Sequence, residues 1–159
     1  GGSATQASHM VGELVGGYKI KGRKSLPAVA LTADIGVLTA LANDYSYSEV
    51  FAKQLEIFSK KEIKDKTEVV DVAVGISTSG NSENVYLGLK TAKKYGLTTG
   101  YLGSTTKGRY TDRIARIADY RILVEAKETG AIQDVHEMIL HVIAESVEKF
   151  LFAKKKVKD

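Results

Sequence analysis

The chain of 159 residues has no cysteine. That excludes a disulfide framework, a thiolate metal site and a cysteine nucleophile, and it leaves histidine, carboxylate and amide groups as the metal ligands on offer. The absence suits a reducing compartment, and cytoplasmic residence is the expectation. One proline beside 15 glycines excludes a collagen-like or proline-rich linker protein. No apolar run approaches the ~18 residues that span a bilayer, and no secretory signal opens the chain, so no membrane partner is expected. A strong excess of one charge is missing too: 23 Lys plus Arg against 19 Asp plus Glu leave +4, weak grounds for nucleic acid as a partner. The stretch Ser59 to Asp71 (SKKEIKDKTEVVD) alternates sign as a solvated face does. The lysines of the closing AKKKVKD complement the negative end of a last helix.

What remains is a globular composition, 43% hydrophobic and 26% charged, in a length that suits one domain, residues 1–159. Short apolar β-branched runs alternate with segments of helical period. This predicts an α/β fold whose parallel sheet is covered on both faces, a three-layer αβα arrangement. Four runs read as strands: Ala28 to Leu31, Val69 to Ile76, Thr98 to Leu102 and Tyr120 to Val124. Helical spacing covers Ala4 to Tyr18, Ile35 to Ala42, Ser48 to Phe58, Asn84 to Tyr95, Thr111 to Ile117 and Ala131 to about Ala153. In the last segment Ile132, Val135, Ile139, Val142, Ile143, Ser146, Val147 and Phe150 line one stripe, the expected core face.

The beginning is unusual. Gly1-Gly2-Ser3 leads straight into a helix, as the loop after a strand would, and a sheet lacking its first strand would expose a raw edge. The plainer alternative makes Gly-Gly-Ser a linker and Ser8-His9-Met10 a cloning scar.

Ser77-Thr78-Ser79-Gly80-Asn81-Ser82 joins the strand ending at Ile76 to the helix beginning near Glu83. Four hydroxyls and several backbone N–H groups at a strand end and a helix N-terminus form a seat for an anion, and Gly80 permits close approach. The Walker spacing is absent, so a small phosphomonoester fits better than a nucleoside triphosphate. The competing reading is simple helix capping by Ser and Thr.

The segment VGISTSGNSENV resembles the phosphate-binding loop of the sugar isomerase (SIS) family, and is most similar to its phosphoheptose isomerase branch. GGSATQASHMVGEL, LPAVALTADIGVLTALANDYSYSEVFAKQ and AIQDVHEMILHVIAESVEK resemble that branch's first loop and helix, its second strand with the helices after it, and its final helix. The likeness argues against the scar reading, because His9 and Glu13 fall on the motif. It also implies that relatives carry N-terminal helices and a first strand missing here.

By spacing, His9 and Glu13 share a helix face, which is commonly just a surface contact. The resemblance implies more: His9, Glu13, Gln133 and His141 as ligands of one divalent ion per subunit, zinc. It makes Glu13 the base and His141 the acid of an aldose–ketose isomerisation. Gly1, Gly2, Glu13, Asn43, Asp44, Ser77, Thr78, Ser79, Ser82 and Gln133 match substrate-contacting positions. Gln133 and His141 are eight residues apart, about 12 Å of helical rise. Either Gln133 precedes the regular helix or different subunits supply the two groups, and an interfacial site in a homotetramer is expected. His136 has no matching role and reads as exposed or structural. The implied substrate is a phosphorylated seven-carbon sugar, sedoheptulose 7-phosphate, converted to D-glycero-D-manno-heptose 7-phosphate for surface glycans such as lipopolysaccharide or capsule. Two alternatives are a non-catalytic SIS tetramer that assists the replication initiator and a sugar-phosphate sensor. The chain departs from its relatives at Gly17, where many have arginine, and at Gly130 and Ala131, where they have an acid and a base.

Overall fold

The computed structural model describes residues 1–58 and 71–153. Three strands, β1 (Val72–Ile76), β2 (Thr98–Ser104) and β3 (Tyr120–Val124), form a parallel sheet in the order β1-β2-β3. The register pairs Val74 with Gly100, Gly100 with Tyr120, and Ile76 with Leu102. Parallel neighbours need crossovers, and two helices provide them: α4 (Glu83–Lys94) between β1 and β2, and α5 (Thr111–Ile117) between β2 and β3.

Both crossover helices pack on one sheet face. Leu89, Tyr101, Tyr110 and Ile114 meet there, with Ala73, Val85 and Leu123 against them. Ile114 is fully buried, so truncation to alanine would cost about 2–5 kcal/mol. A second cluster of Leu55, Ala92 and Leu97 joins α3 (Val50–Leu55) to α4. Between Gly2–Gly16 (α1) and α3 lies α2 (Ile35–Asp44), whose N-cap Asp34 accepts the Val37 N–H at 3.0 Å. The opposite sheet face carries α1 and the long α6 (Thr129–Phe152), completing three layers.

Two expectations are corrected. Ala28 to Leu31 is not a strand: the Ala30 carbonyl closes a turn onto the Ala33 N–H at 3.0 Å, and the Gln54 side chain takes the Leu31 carbonyl. The run is apolar and extended, but a side chain and a turn claim the carbonyls that a ladder would use. In α6 the buried residues are Ile132, His136, Leu140, Ala144 and Glu148, at every fourth position. Of the expected stripe only Ile132 is buried; Val135, Val142, Ser146 and Phe150 are exposed. The helix turns its mixed face to α1 and the sheet and leaves its most apolar face outward. Residues 69 and 70 of the second expected strand, the charged stretch up to residue 70 and the lysines after Ala153 lie outside the described residues. Among the described residues no helix is long and apolar enough to cross a membrane.

Candidate active site

The loop after β1 is held in place by contacts on all sides. The Ser77 N–H continues the ladder to the Leu102 carbonyl at 3.0 Å. The Ser104 hydroxyl donates to the Thr78 carbonyl at 2.6 Å. Tyr110 N–H binds the Gly80 carbonyl at 2.8 Å, and Arg109 N–H binds Asn81 Oδ1 at 2.7 Å. Gly80 sits at φ +66°, and a Cβ there would run into Thr111 Oγ1.

Capping does not account for the hydroxyls. Ser82 is the N-cap of α4 but makes no side-chain capping bond; its Oγ accepts the Ser77 hydroxyl at 3.0 Å. Ser77 and Thr78 are buried and Ser79 is exposed. From the other side Ser3 Oγ approaches Thr78 Oγ1 to 3.4 Å, bringing the start of α1, with Gly1 and Gly2, to the loop. Two helix N-termini thus point their positive ends at one serine-rich turn, an arrangement that favours an anion.

From that anchor α1 and α6 run side by side in the same direction, so their contacts climb together. Gln6 Nε2 donates to the Gln133 carbonyl at 2.7 Å. One turn further His9 Nδ1 pairs with Glu137. His9 Nε2 meets Glu13 Oε1 at 3.0 Å, and one ligand atom from each of His9, Glu13 and His141 lies within 4.8 Å of the others. The His9 and His141 rings stand edge to face, centroids 5.0 Å apart.

Two imidazole nitrogens, one carboxylate oxygen and a solvent-facing side suit a divalent ion such as zinc with an open position. The hydrogen bond to Glu137 raises the His9 pKa above its ordinary value against the effect of burial, and Glu13 adds to the rise. A bound metal ion would displace that proton.

The remaining expected site residues fall elsewhere. The Gln133 amide lies against Gly2, close enough that a Cβ on Gly2 would be 2.5 Å from its Nε2. It sits inside α6, two turns before His141. Asn43 and Asp44 are exposed at the end of α2, where Asn43 Nδ2 donates to Asp44 Oδ1 at 3.0 Å, and α2 packs on α3 and the Tyr47–Glu49 turn. His136 is buried and donates Nε2–H to the Gly103 carbonyl at 2.8 Å, so its structural reading holds. Gly17 ends α1 at φ +95°, where any side chain would be strained.

Sequence reasoning groups Glu137 with Gln133, His136 and His141 as a polar set on the last helix without giving it a role, and it misses Glu148 and Arg23. Glu137 carried no signal for its pairing with His9. Glu148 had one, as a charge at the end of the four-residue series Ile132, His136, Leu140, Ala144. The Glu148 carboxylate accepts the N–H groups of Tyr18 at 2.7 Å, Lys19 at 2.7 Å and Ile20 at 3.0 Å, and binds Arg23 Nε at 2.7 Å. Burial pushes its pKa up, but Arg23 and the three amides outweigh it and hold the group at about 2.

Residues 1–104 match the family model described as SIS domain. A phosphoheptose isomerase of Clostridium acetobutylicum is 41% identical over 156 residues, covering 98% of this chain and 72% of that protein. One from Aquifex aeolicus is 44% identical over 151 residues, covering 95% and 72%. Among solved structures, the phosphoheptose isomerase of Neisseria gonorrhoeae superposes with a TM-score of 0.76 at 34% identity, over 94% of this chain and 72% of that one. That of Francisella tularensis gives 0.77 at 27% identity, over 94% and 73%. The chain belongs to the SIS-domain family, among the phosphoheptose isomerases.

Proposed function

We propose that this chain, as one SIS domain over residues 1–159, isomerises sedoheptulose 7-phosphate to D-glycero-D-manno-heptose 7-phosphate. The observation that carries the reading is the convergence of His9, Glu13 and His141 within 4.8 Å, where His9 and Glu13 lie on the helix whose first turn touches the serine loop and His141 comes from α6. Ser3 and His9 are six residues apart on α1, about 9 Å of rise, which separates an anchored phosphate from the reacting end of a sugar by several carbons.

The phosphate end rests on Ser77, Thr78, Ser79 and Ser82 and the two helix starts, with Gly1 and Gly2 beside it. Glu13 takes the proton from carbon 1 of the ketose. His141 serves the oxygens: it first gives a proton to the carbonyl oxygen at carbon 2, so that an enediol forms. It then takes the proton of the hydroxyl at carbon 1 as Glu13 returns a proton to carbon 2, and the enediol collapses to the aldose. A divalent ion, zinc in this reading, would be held by His9, Glu13 and His141, with the Gln133 amide of a neighbouring subunit as a further ligand, and supplies Lewis-acid polarisation of the carbonyl when bound.

A homotetramer with interfacial sites is supported by two observations. Val72, Val74, Tyr120, Met138 and Val142 leave a large apolar surface exposed on the sheet and α6. Asn43 and Asp44 sit on an element that does not pack on the seam of their own chain, so a neighbouring subunit would present them. The absence of cysteine fits the cytoplasm, where the product would supply heptose for lipopolysaccharide, capsule or another surface glycan. A tetramer serving only the replication initiator, or a sensor, has no need of a carboxylate and an imidazole converging beside the anchor.

A coupled assay on sedoheptulose 7-phosphate, with and without chelator, tests the reading. Product from metal-replete protein, lost on chelation, is expected. No product from folded, metal-replete protein would overturn it.

A further inference from the structure

The strongest polar network in the molecule lies beyond the reacting groups. Glu148 and Arg23 are buried to 1% and 2% exposure of their side chains, yet neither touches the proposed substrate space. A charge pair so deeply buried is weak evidence of stability in itself, because desolvation consumes most of the attraction. Its connections are more informative. Arg23 Nη2 donates to the Glu13 carbonyl at 2.8 Å, the same oxygen that accepts the Gly17 N–H at 3.1 Å. The guanidinium therefore caps the C-terminal turn of α1 that carries Glu13.

On its other side the carboxylate gathers the Tyr18, Lys19 and Ile20 amides, and so fixes the turn after α1 onto α6. That turn lays the Tyr18 ring flat on His141, centroids 5.2 Å apart and planes 7° from parallel. Glu148 lies seven residues after His141, two helical turns along the same face of α6.

We propose that Arg23 and Glu148 are a positioning pair that sets Glu13 and His141 in working register, Arg23 through the Glu13 carbonyl and Glu148 through the ring of Tyr18. The inference deepens the isomerase reading and rests on it. Only Arg reaches two acceptors with one rigid planar fork; a lysine keeps the charge and loses the bridge.

The test compares Arg23→Lys, Tyr18→Leu and Tyr18→Phe with the wild type, well below each melting transition. Turnover of sedoheptulose 7-phosphate and titration with zinc alone are measured. Arg23→Lys and Tyr18→Leu are expected to lose about 10–100-fold in kcat and in zinc affinity, the usual effect of removing a partner that orients a metal ligand. KM should stay put, because the phosphate anchor is untouched. Tyr18→Phe keeps the stacked ring and should keep both properties.

Wild-type kcat and zinc affinity in Arg23→Lys and Tyr18→Leu, with only the melting temperature lowered, would make the network a mere fastening and overturn the proposal. If Arg23→Lys does not fold, the Tyr18 pair decides: loss in Leu with retention in Phe supports positioning, and equal behaviour refutes it. A wild type that neither isomerises nor binds zinc sinks both readings. A wild type that isomerises beside unimpaired variants sinks only this one.

Discussion

The serine loop and the α1–α6 seam solve the same problem, placing polar groups where an anion or a metal ion can use them, by opposite means. The loop draws its hydroxyls from six consecutive residues at a strand end, and local hydrogen bonds fix them. The seam draws His9 and Glu13 from one end of the chain and His141 from the other, and they meet only because two distant helices pack in register. Contiguous sites tolerate small movements of the scaffold; the seam depends on the scaffold for its existence. The loop should accordingly govern affinity and the seam should govern rate.

The comparison breaks first at Glu13. Glu13→Gln is expected to lower kcat by about 10²–10⁴-fold, the range of a general base, while substrate still raises the melting temperature. A variant retaining most of its turnover would remove Glu13 from the chemistry. On the loop, Ser77→Ala should raise KM by about tenfold through loss of one hydrogen bond to a charged group, with kcat little changed. Steady-state kinetics separates the two; a pure kcat loss from the loop variant would erase the division of labour. Gly80→Ala should weaken binding by more than Ser77→Ala, since the added methyl group meets Thr111 and φ is +66°. The double variant Gly80→Ala/Thr111→Ala should recover part of that loss in the same assay.

Within the seam, Glu137→Ala removes the partner that orients His9. It should cost about tenfold in metal affinity, measured by zinc titration, at the low end for such partners. The smallest effect is the acid dependence of stability. Glu148 titrates near 2 in the folded chain against an ordinary value of 4.5. Because the folded value is depressed, its contribution is present above 4.5 and is lost as pH falls toward 2. Thermal melts should fall across that window, less steeply in Glu148→Gln; identical slopes would show that another group controls acid unfolding.

How far the residues announced themselves follows the same division. Thr111 to Ile117 and Tyr120 to Val124 were legible at both ends because local period and neighbouring turns set them. The serine loop was legible for the same reason. Ala28 to Leu31 misled because β-branched apolar residues report burial potential, and pairing needs free carbonyls that a turn and Gln54 already occupy. The face that α6 buries was misread because composition favours its valines, whereas packing on the sheet buries His136 and the turn after α1 buries Glu148. Arg23 was invisible: in an exposed-looking run of Lys, Gly, Arg and Lys nothing marks the one cation that turns inward. His9, Glu13 and His141 were named by family likeness, since no local pattern links residues more than 120 apart.

The most direct test of the central claim follows the proton itself. Sedoheptulose 7-phosphate is incubated with the metal-replete protein in deuterium oxide, and the heptose carbons are read by NMR. Solvent deuterium at carbon 2 of the aldose product, absent together with turnover in Glu13→Gln, is the predicted result. Turnover at the wild-type rate by Glu13→Gln would contradict the account.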